Sequence, residues 1–418
     1  MELQKISGGS VGDFYYTGTH PSGLRVFLYP KEKSSTTYAI FSTKYGSIDS
    51  CFQRSDEPAP ETVPEGIAHY LEHKLFESED GDAFQRYAET GASANAYTSF
   101  ENTSYLFSCT DRLYDSLEIL LDFVQSPYFT KEQGIIGQEI KMYDDDPQWR
   151  VMFNYLRAMY HAHPIRQDIA GTVESIAQIT PDHLYRCYRT FYNLHNMAFV
   201  LAGSFDVDRV CELLDQMLKP CDPVTVRRVF PEEPATVARP RVEEALSVAL
   251  PLFQFGYKLP GTAPRGEKDL AAAEVLLEVL ASEASPLFRR LLDSGLVNES
   301  SFASEFFEGE GYATLMFGGE SNDPEAVAAA ITEELLRLRQ EGIDPAAFER
   351  SRRSLYGQNL AALNSTASIA NAILSLTFKG RELFSYIHAL AGITVADVEQ
   401  FLAGLPLEQQ VLSIVKPL

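Results

Sequence analysis

Tryptophan occurs once in 418 residues, and the five cysteines form no pattern. Cys51, Cys109, Cys187, Cys211 and Cys221 are scattered, odd in number and free of C-x-x-C spacing. That excludes a cysteine zinc site and suits reduced thiols in a cytoplasm, the expected location. Basic residues are also scarce: 35 Lys and Arg stand against 58 Asp and Glu, a formal net charge of -23. Nucleic acid and anionic membrane are therefore excluded as main partners, and the charge is read first as a solubility device. No stretch is apolar for the roughly 18 residues of a membrane span. Met1–Gly12 is polar and carries paired glycines, unlike the apolar core of a signal peptide.

What is present is a long, globular composition, 45% hydrophobic and 22% charged, with too many residues for one ordinary core. Leu24, Val26 and Leu28 alternate as one strand face, and Thr37–Tyr45 continues in the same style. Pro58, Pro60 and Pro64 then break the chain, with Pro64 expected near the first turn of a helix. A second helix is expected near 81–90 with a turn at Gly91, then a strand pair from Ala94 to Cys109. Helices follow at about 111–125 and 131–143.

The proline- and charge-rich stretch 221–240 has the composition of a linker. A faint repeat supports a boundary there. Ile179-Thr180 and Ile393-Thr394 each open a helix that runs into an apolar strand of nearly the same length. The expected architecture is α+β with two homologous domains: residues 1–220, a 221–240 linker, and residues 241–418.

The chemistry concentrates in His69-Tyr70-Leu71-Glu72-His73. Helical residues four apart lie one turn above each other, so His69 and His73 can offer two imidazole nitrogens to one cation. Zinc held this way needs a third protein ligand and an open position for water, and a nearby carboxylate can serve as base. Chance produces such a pattern on the order of once in a hundred chains of this composition. Ile67, Leu71 and Leu75 add an apolar stripe that would pack the helix. The third ligand should be acidic and come from another helix. Glu139, between Ile135, Ile136 and Ile140, is the leading candidate, with Glu132 two turns earlier. Trp149 reads as a packing anchor after a helix end, and Asp144–Asp146 as a solvated helix terminus.

With these residues in hand, the sequence resembles the pitrilysin/insulinase family of inverzincin metallopeptidases, marked by the inverted H-x-x-E-H motif. Asn95-Ala96-Tyr97-Thr98 matches the family's N-A-x-T strand, and Thr103-Ser104-Tyr105 its T-x-Y. Glu132 and Glu139 reproduce the E-x6-E pair; His163-Pro164 and Gly171-Thr172 resemble its H-P and A-G-T segments. The resemblance implies two α/β-sandwich domains of the mitochondrial-processing-peptidase/LuxS-like metallohydrolase type. It implies one Zn2+ per chain held by His69, His73 and Glu139, Glu72 as general base, and Glu132 supporting the ligands from behind. It also implies that the strand bearing Asn95, Ala96 and Thr98 takes up an extended peptide as an added strand.

Two departures stand out. The gap from His73 to Glu139 is short, the missing length falling near "SPYFTKEQ". Leu292 and Asn298 stand where the family's Arg and Tyr, which hold the substrate carbonyl, are expected. A homologous subunit supplying that pair is therefore expected, a homodimer less so. The style matches the bacterial branch labelled as zinc proteases associated with elongation-factor-P modification, whose members form paired, unequal subunits. The competing expectation is a non-catalytic assembly or peptide-binding subunit that retains fold and metal.

Overall fold

The computed structural model describes residues 1–78, 81–129, 136–261 and 265–418. Two compact units emerge, each discontinuous in sequence: 1–140, 167–230 and 360–382 make the first, and 141–166, 231–359 and 383–418 the second.

The first unit is built on a seven-stranded sheet: β1 (Gln4–Ser7), β2 (Phe14–Thr19), β3 (Arg25–Pro30), β4 (Thr37–Thr43), β5 (Ser93–Thr98), β6 (Thr103–Cys109) and β7 (Met197–Gly203). Their spatial order is β1-β2-β3-β7-β4-β6-β5. β4 and β7 are buried along their whole length, and "MAFVLAG" in β7 shows the unbroken apolar run of a strand covered on both faces.

The second unit has a five-stranded sheet: β8 (Arg241–Leu246), β9 (Leu252–Lys258), β10 (Ala303–Gly309), β11 (Tyr312–Glu320) and β12 (Gln410–Pro417), in the order β8-β12-β9-β11-β10. β7 pairs parallel with β3 and antiparallel with β4; β12 pairs parallel with β8 and antiparallel with β9. Thus five strands of the first sheet repeat the second in order and direction. The helices before β7 and β12 match as well. Thr180 caps Pro181–Phe191 by accepting from the His183 N–H, and Thr394 caps Val395–Ala403 by accepting from the Asp397 N–H.

The sequence halves 1–220 and 241–418 do not coincide with the units, because each half contributes a helix to the other's sheet. Pro147–Met159, from the first half, packs on β12, β9 and β8. Ser413 Oγ donates to the Val151 carbonyl across that contact at 2.9 Å. Thr366–Phe378, from the second half, packs on β7, β4 and β3, and Asn371 Nδ2 donates to the Tyr38 hydroxyl at 3.2 Å. Tyr143 and Trp149 stack at 4.5 Å, and Asp146 caps the helix that begins at Pro147, as a packing anchor and a helix terminus should.

Nor is the 221–240 stretch a free tether. Val226–Arg228 forms a strand against Cys51–Arg54, and the Arg228 guanidinium reaches buried Asp49. In the second unit, Glu233 accepts from the backbone N–H groups of His161, Ala162 and His163 at 2.7 to 2.9 Å and from Lys258 Nζ at 2.6 Å.

That last cluster fixes His163, which is 1% exposed. Its Nδ1 accepts the Ile165 N–H at 3.1 Å, so Nε2 carries the proton and donates to the Glu310 carbonyl at 3.0 Å. Burial pushes the imidazole from 6.5 down to about 4, against the smaller upward pull of that carbonyl. The unfolded chain therefore binds a proton between these values that the fold refuses. This contribution is complete above pH 6.5 and is lost as pH falls toward 4. The expected loss is about 3 kcal/mol. His163→Asn should flatten that slope in urea titrations compared at neutral and acidic pH; an unchanged slope would refute the buried neutral imidazole.

Candidate active site

The motif occupies α1 (Ile67–Leu75). Pro64 lies ahead of the helix rather than in its first turn, and Gly66 is the cap, with φ 84° in the left-handed region. A Cβ at Gly66 would stand 2.4 Å from the Ala170 carbonyl oxygen, and one at Gly171 (φ 74°) would stand 2.6 Å from that of Glu65. Only glycine permits this approach of two backbones. Ser175 Oγ donates to the Glu65 carbonyl at 2.9 Å, and Gln167 Nε2 to the Glu65 carboxylate at 2.7 Å. The Gly171-Thr172 segment thus anchors the start of the motif helix. Ile67, Leu71 and Leu75 are buried, as their stripe predicted, and α1 packs against β5, β6 and the Pro181–Phe191 helix.

His69 and His73 turn their Nε2 atoms to within 3.2 Å of each other. Glu139, on α2 (Ile136–Asp144), closes the group: Oε1 lies 3.6 Å from His69 Nε2 and Oε2 3.1 Å from His73 Nε2. One donor atom from each residue fits within a 4.8 Å cluster. Ile140 beside it is buried; Glu132 and Ile135 lie outside the described residues.

This donor set fits a divalent cation. Burial, reinforced by the neighbouring His73, pushes His69 down to about 4 despite the opposing pull of Glu139, so its imidazole is neutral near pH 7 and has a lone pair to give. Two imidazoles and one carboxylate match the ligand chemistry of zinc. His69 Nδ1 is buried without a hydrogen-bond partner among the described residues.

Glu72 is 7% exposed. Burial raises its carboxyl to about 7; a hydrogen bond from Thr98 pulls the other way, and the Glu139 charge adds to the rise. A carboxylate poised there exchanges protons near neutrality. A bound dication would draw the value back down.

Among the described residues β5 is the edge strand, paired with β6 on one side only. Side chains alternate along it, so Ala94, Ala96 and Thr98 share the α1 face while Asn95 and Tyr97 take the other, where Tyr97 donates to Asn371 Oδ1 at 3.4 Å. Small residues on the first face let the motif helix lie close. Thr98 Oγ1 donates to Glu72 Oε2 at 2.7 Å. That contact has no local sequence signal beyond period-two alternation, whereas Gly66, a glycine immediately before a helix, carries a visible cue.

In the second unit, Arg290 is tied to Glu334 at 2.9 Å, and Asn298 Nδ2 donates to Glu320 at 3.0 Å. Leu292 is half-buried.

Residues 60–173 match the family model described as Insulinase (Peptidase family M16), and residues 178–355 the one described as Peptidase M16 inactive domain. A Bacillus subtilis protein described as uncharacterized zinc protease YmfH is 41% identical over 389 residues, covering 90% of each chain. A solved structure from Alicyclobacillus acidocaldarius, described as an M16-like peptidase, superposes with a TM-score of 0.92 at 35% identity and covers 100% of this chain and 99% of the other. A Helicobacter pylori protease structure shares the fold, with a TM-score of 0.84 at 21% identity, covering 97% of this chain and 100% of that one.

Proposed function

From the premise that the chain belongs to the insulinase (M16) peptidase family, we propose that it is a zinc-dependent endopeptidase for short unfolded peptides, working as the metal-bearing partner of a homologous subunit. The observation that carries the reading is the convergence of His69, His73 and Glu139 within 4.8 Å, one helical step from a buried Glu72.

His69, His73 and Glu139 would hold the ion. When bound there, zinc would supply Lewis acidity and lower the pKa of a water toward neutrality. Glu72 takes the proton from the attacking water and delivers it to the leaving amide nitrogen. The Asn95–Thr98 strand offers its free edge to an extended peptide, whose backbone pairs with β5 regardless of side chain. Glu132 keeps the supporting role that the family resemblance gives it.

The need for a partner follows from the second unit. With Leu292 and Asn298 at the expected Arg and Tyr positions, and Arg290 held by Glu334, the carbonyl-holding pair comes from elsewhere. The same observation favours a second reading, a subunit that binds peptide and metal without turning it over.

The deciding experiment measures metal content and cleavage of a quenched peptide library, before and after chelation, alone and with a homologue that carries the Arg/Tyr pair. Chelator-sensitive cleavage is expected with the homologue present. Bound metal without cleavage under either condition would sink the enzyme reading. Full activity of the isolated chain would sink the partner requirement.

A further inference from the structure

Resting on the peptidase reading, we propose that Thr98 is a positioning residue for Glu72, acting through the carboxylate rather than on the peptide. Thr98 ends the strand at the sheet's edge among the described residues, yet its side chain faces inward and donates to Glu72 Oε2 at 2.7 Å. A carboxylate this buried is costly without a donor.

The protons can be counted. A threonine hydroxyl has one to give. Thr103, the cross-strand partner of Thr98, gives its own to the Tyr45 carbonyl at 2.9 Å. Its oxygen lies 3.4 Å from Thr98 Oγ1. With its proton spent, Thr103 could only accept from Thr98 at that longer range, so Thr98's single proton goes to the nearer, charged Glu72 oxygen, an arrangement that suits the ionised carboxylate and leaves Oε1 to move the proton.

Thr98 is itself held in place. Ser99 Oγ donates to Asn102 Oδ1 at 2.8 Å, and Asn102 Nδ2 donates to Ser104 Oγ at 2.8 Å. The backbone N–H groups of Ser47 and Ile48 each donate, at 3.1 Å, to the carbonyls of Ser99 and Phe100. A Cβ on Gly46 would meet the Phe100 carbonyl at 2.4 Å. The turn after β5 is therefore clamped, and the strand that would align the peptide also aligns the base.

The test compares wild type, Thr98→Val and Thr98→Ser in the zinc-loaded full chain, with the homologous subunit present, reading zinc stoichiometry, kcat, KM and the crystal structure. Valine keeps the shape and removes the donor. Thr98→Val is expected to keep its zinc and a KM within about twofold, while kcat falls about tenfold or more. Thr98→Ser should recover most of kcat. A raised KM with intact kcat would overturn the proposal, as would a serine variant no better than valine at equal zinc content. If wild type and Glu72→Gln prove equally inactive, the peptidase reading fails separately. The zinc-loaded wild-type crystal structure then decides: Thr98 Oγ1 bonded to Glu72 upholds the inference, and Thr98 turned away overturns it.

Discussion

Glu72→Gln is expected to fold, to bind zinc as the wild type does, and to cleave peptides about a thousandfold more slowly, within the range general-base removal produces. Glutamine has the size of glutamate, and its amide oxygen can still accept from Thr98 at the position of Oε2. What it cannot do is take a proton from water. The substitution also removes a group whose ionised form burial disfavours, so thermal stability should hold or rise rather than fall. Loss of turnover with undiminished stability separates a chemical role from a structural one. Residual turnover close to wild type, with full zinc content, would remove Glu72 from the mechanism.

The second large effect concerns the metal. Glu139→Gln should weaken zinc binding at least about a hundredfold, more than the 10–100-fold typical when an outer-shell partner is lost. His69→Ala and His73→Ala should do the same, because each removes one of three protein donors. A ligand that binds the folded state raises its stability in proportion to the logarithm of its concentration over Kd. Added zinc should therefore raise the Tm of wild type clearly and that of the three variants little. Competition with a chromophoric chelator gives the affinities directly. Equal zinc shifts in all four proteins would place the ion somewhere else.

His163 shows how a residue singled out by resemblance acquires a physical reason. In the sequence it was half of a His-Pro pair; in the fold it is a neutral imidazole that orders the turn at Ile165 and bonds to the Glu310 carbonyl. Its pH signature is a stability effect and is independent of whether zinc is bound.

What the sequence determined by itself was local or repetitive. The H-x-x-E-H spacing settled which side chains share a face of α1, since helical periodicity is a property of the backbone alone. The Thr180 and Thr394 caps and the apolar strands after them disclosed the duplication because capping and strand burial are short-range signals. Alternation along β5 likewise puts Asn95 and Thr98, three apart in a strand, on opposite faces.

Tertiary structure decided the rest. The order of residues does not encode that Pro147–Met159 covers β8, β9 and β12 while Thr366–Phe378 covers β3, β4 and β7, because an apolar helix face fits any sheet of suitable shape. The same holds for Glu139. Its type and apolar neighbours nominated it, but its approach to within 3.1 Å of His73 depends on a chain path of more than sixty residues that includes four strands and two helices. Thr98's bond to Glu72 belongs to this class as well, for it requires β5 to lie under α1 at one register. The inverted motif names the chemistry; packing of distant segments is what gives it a third donor and a held base.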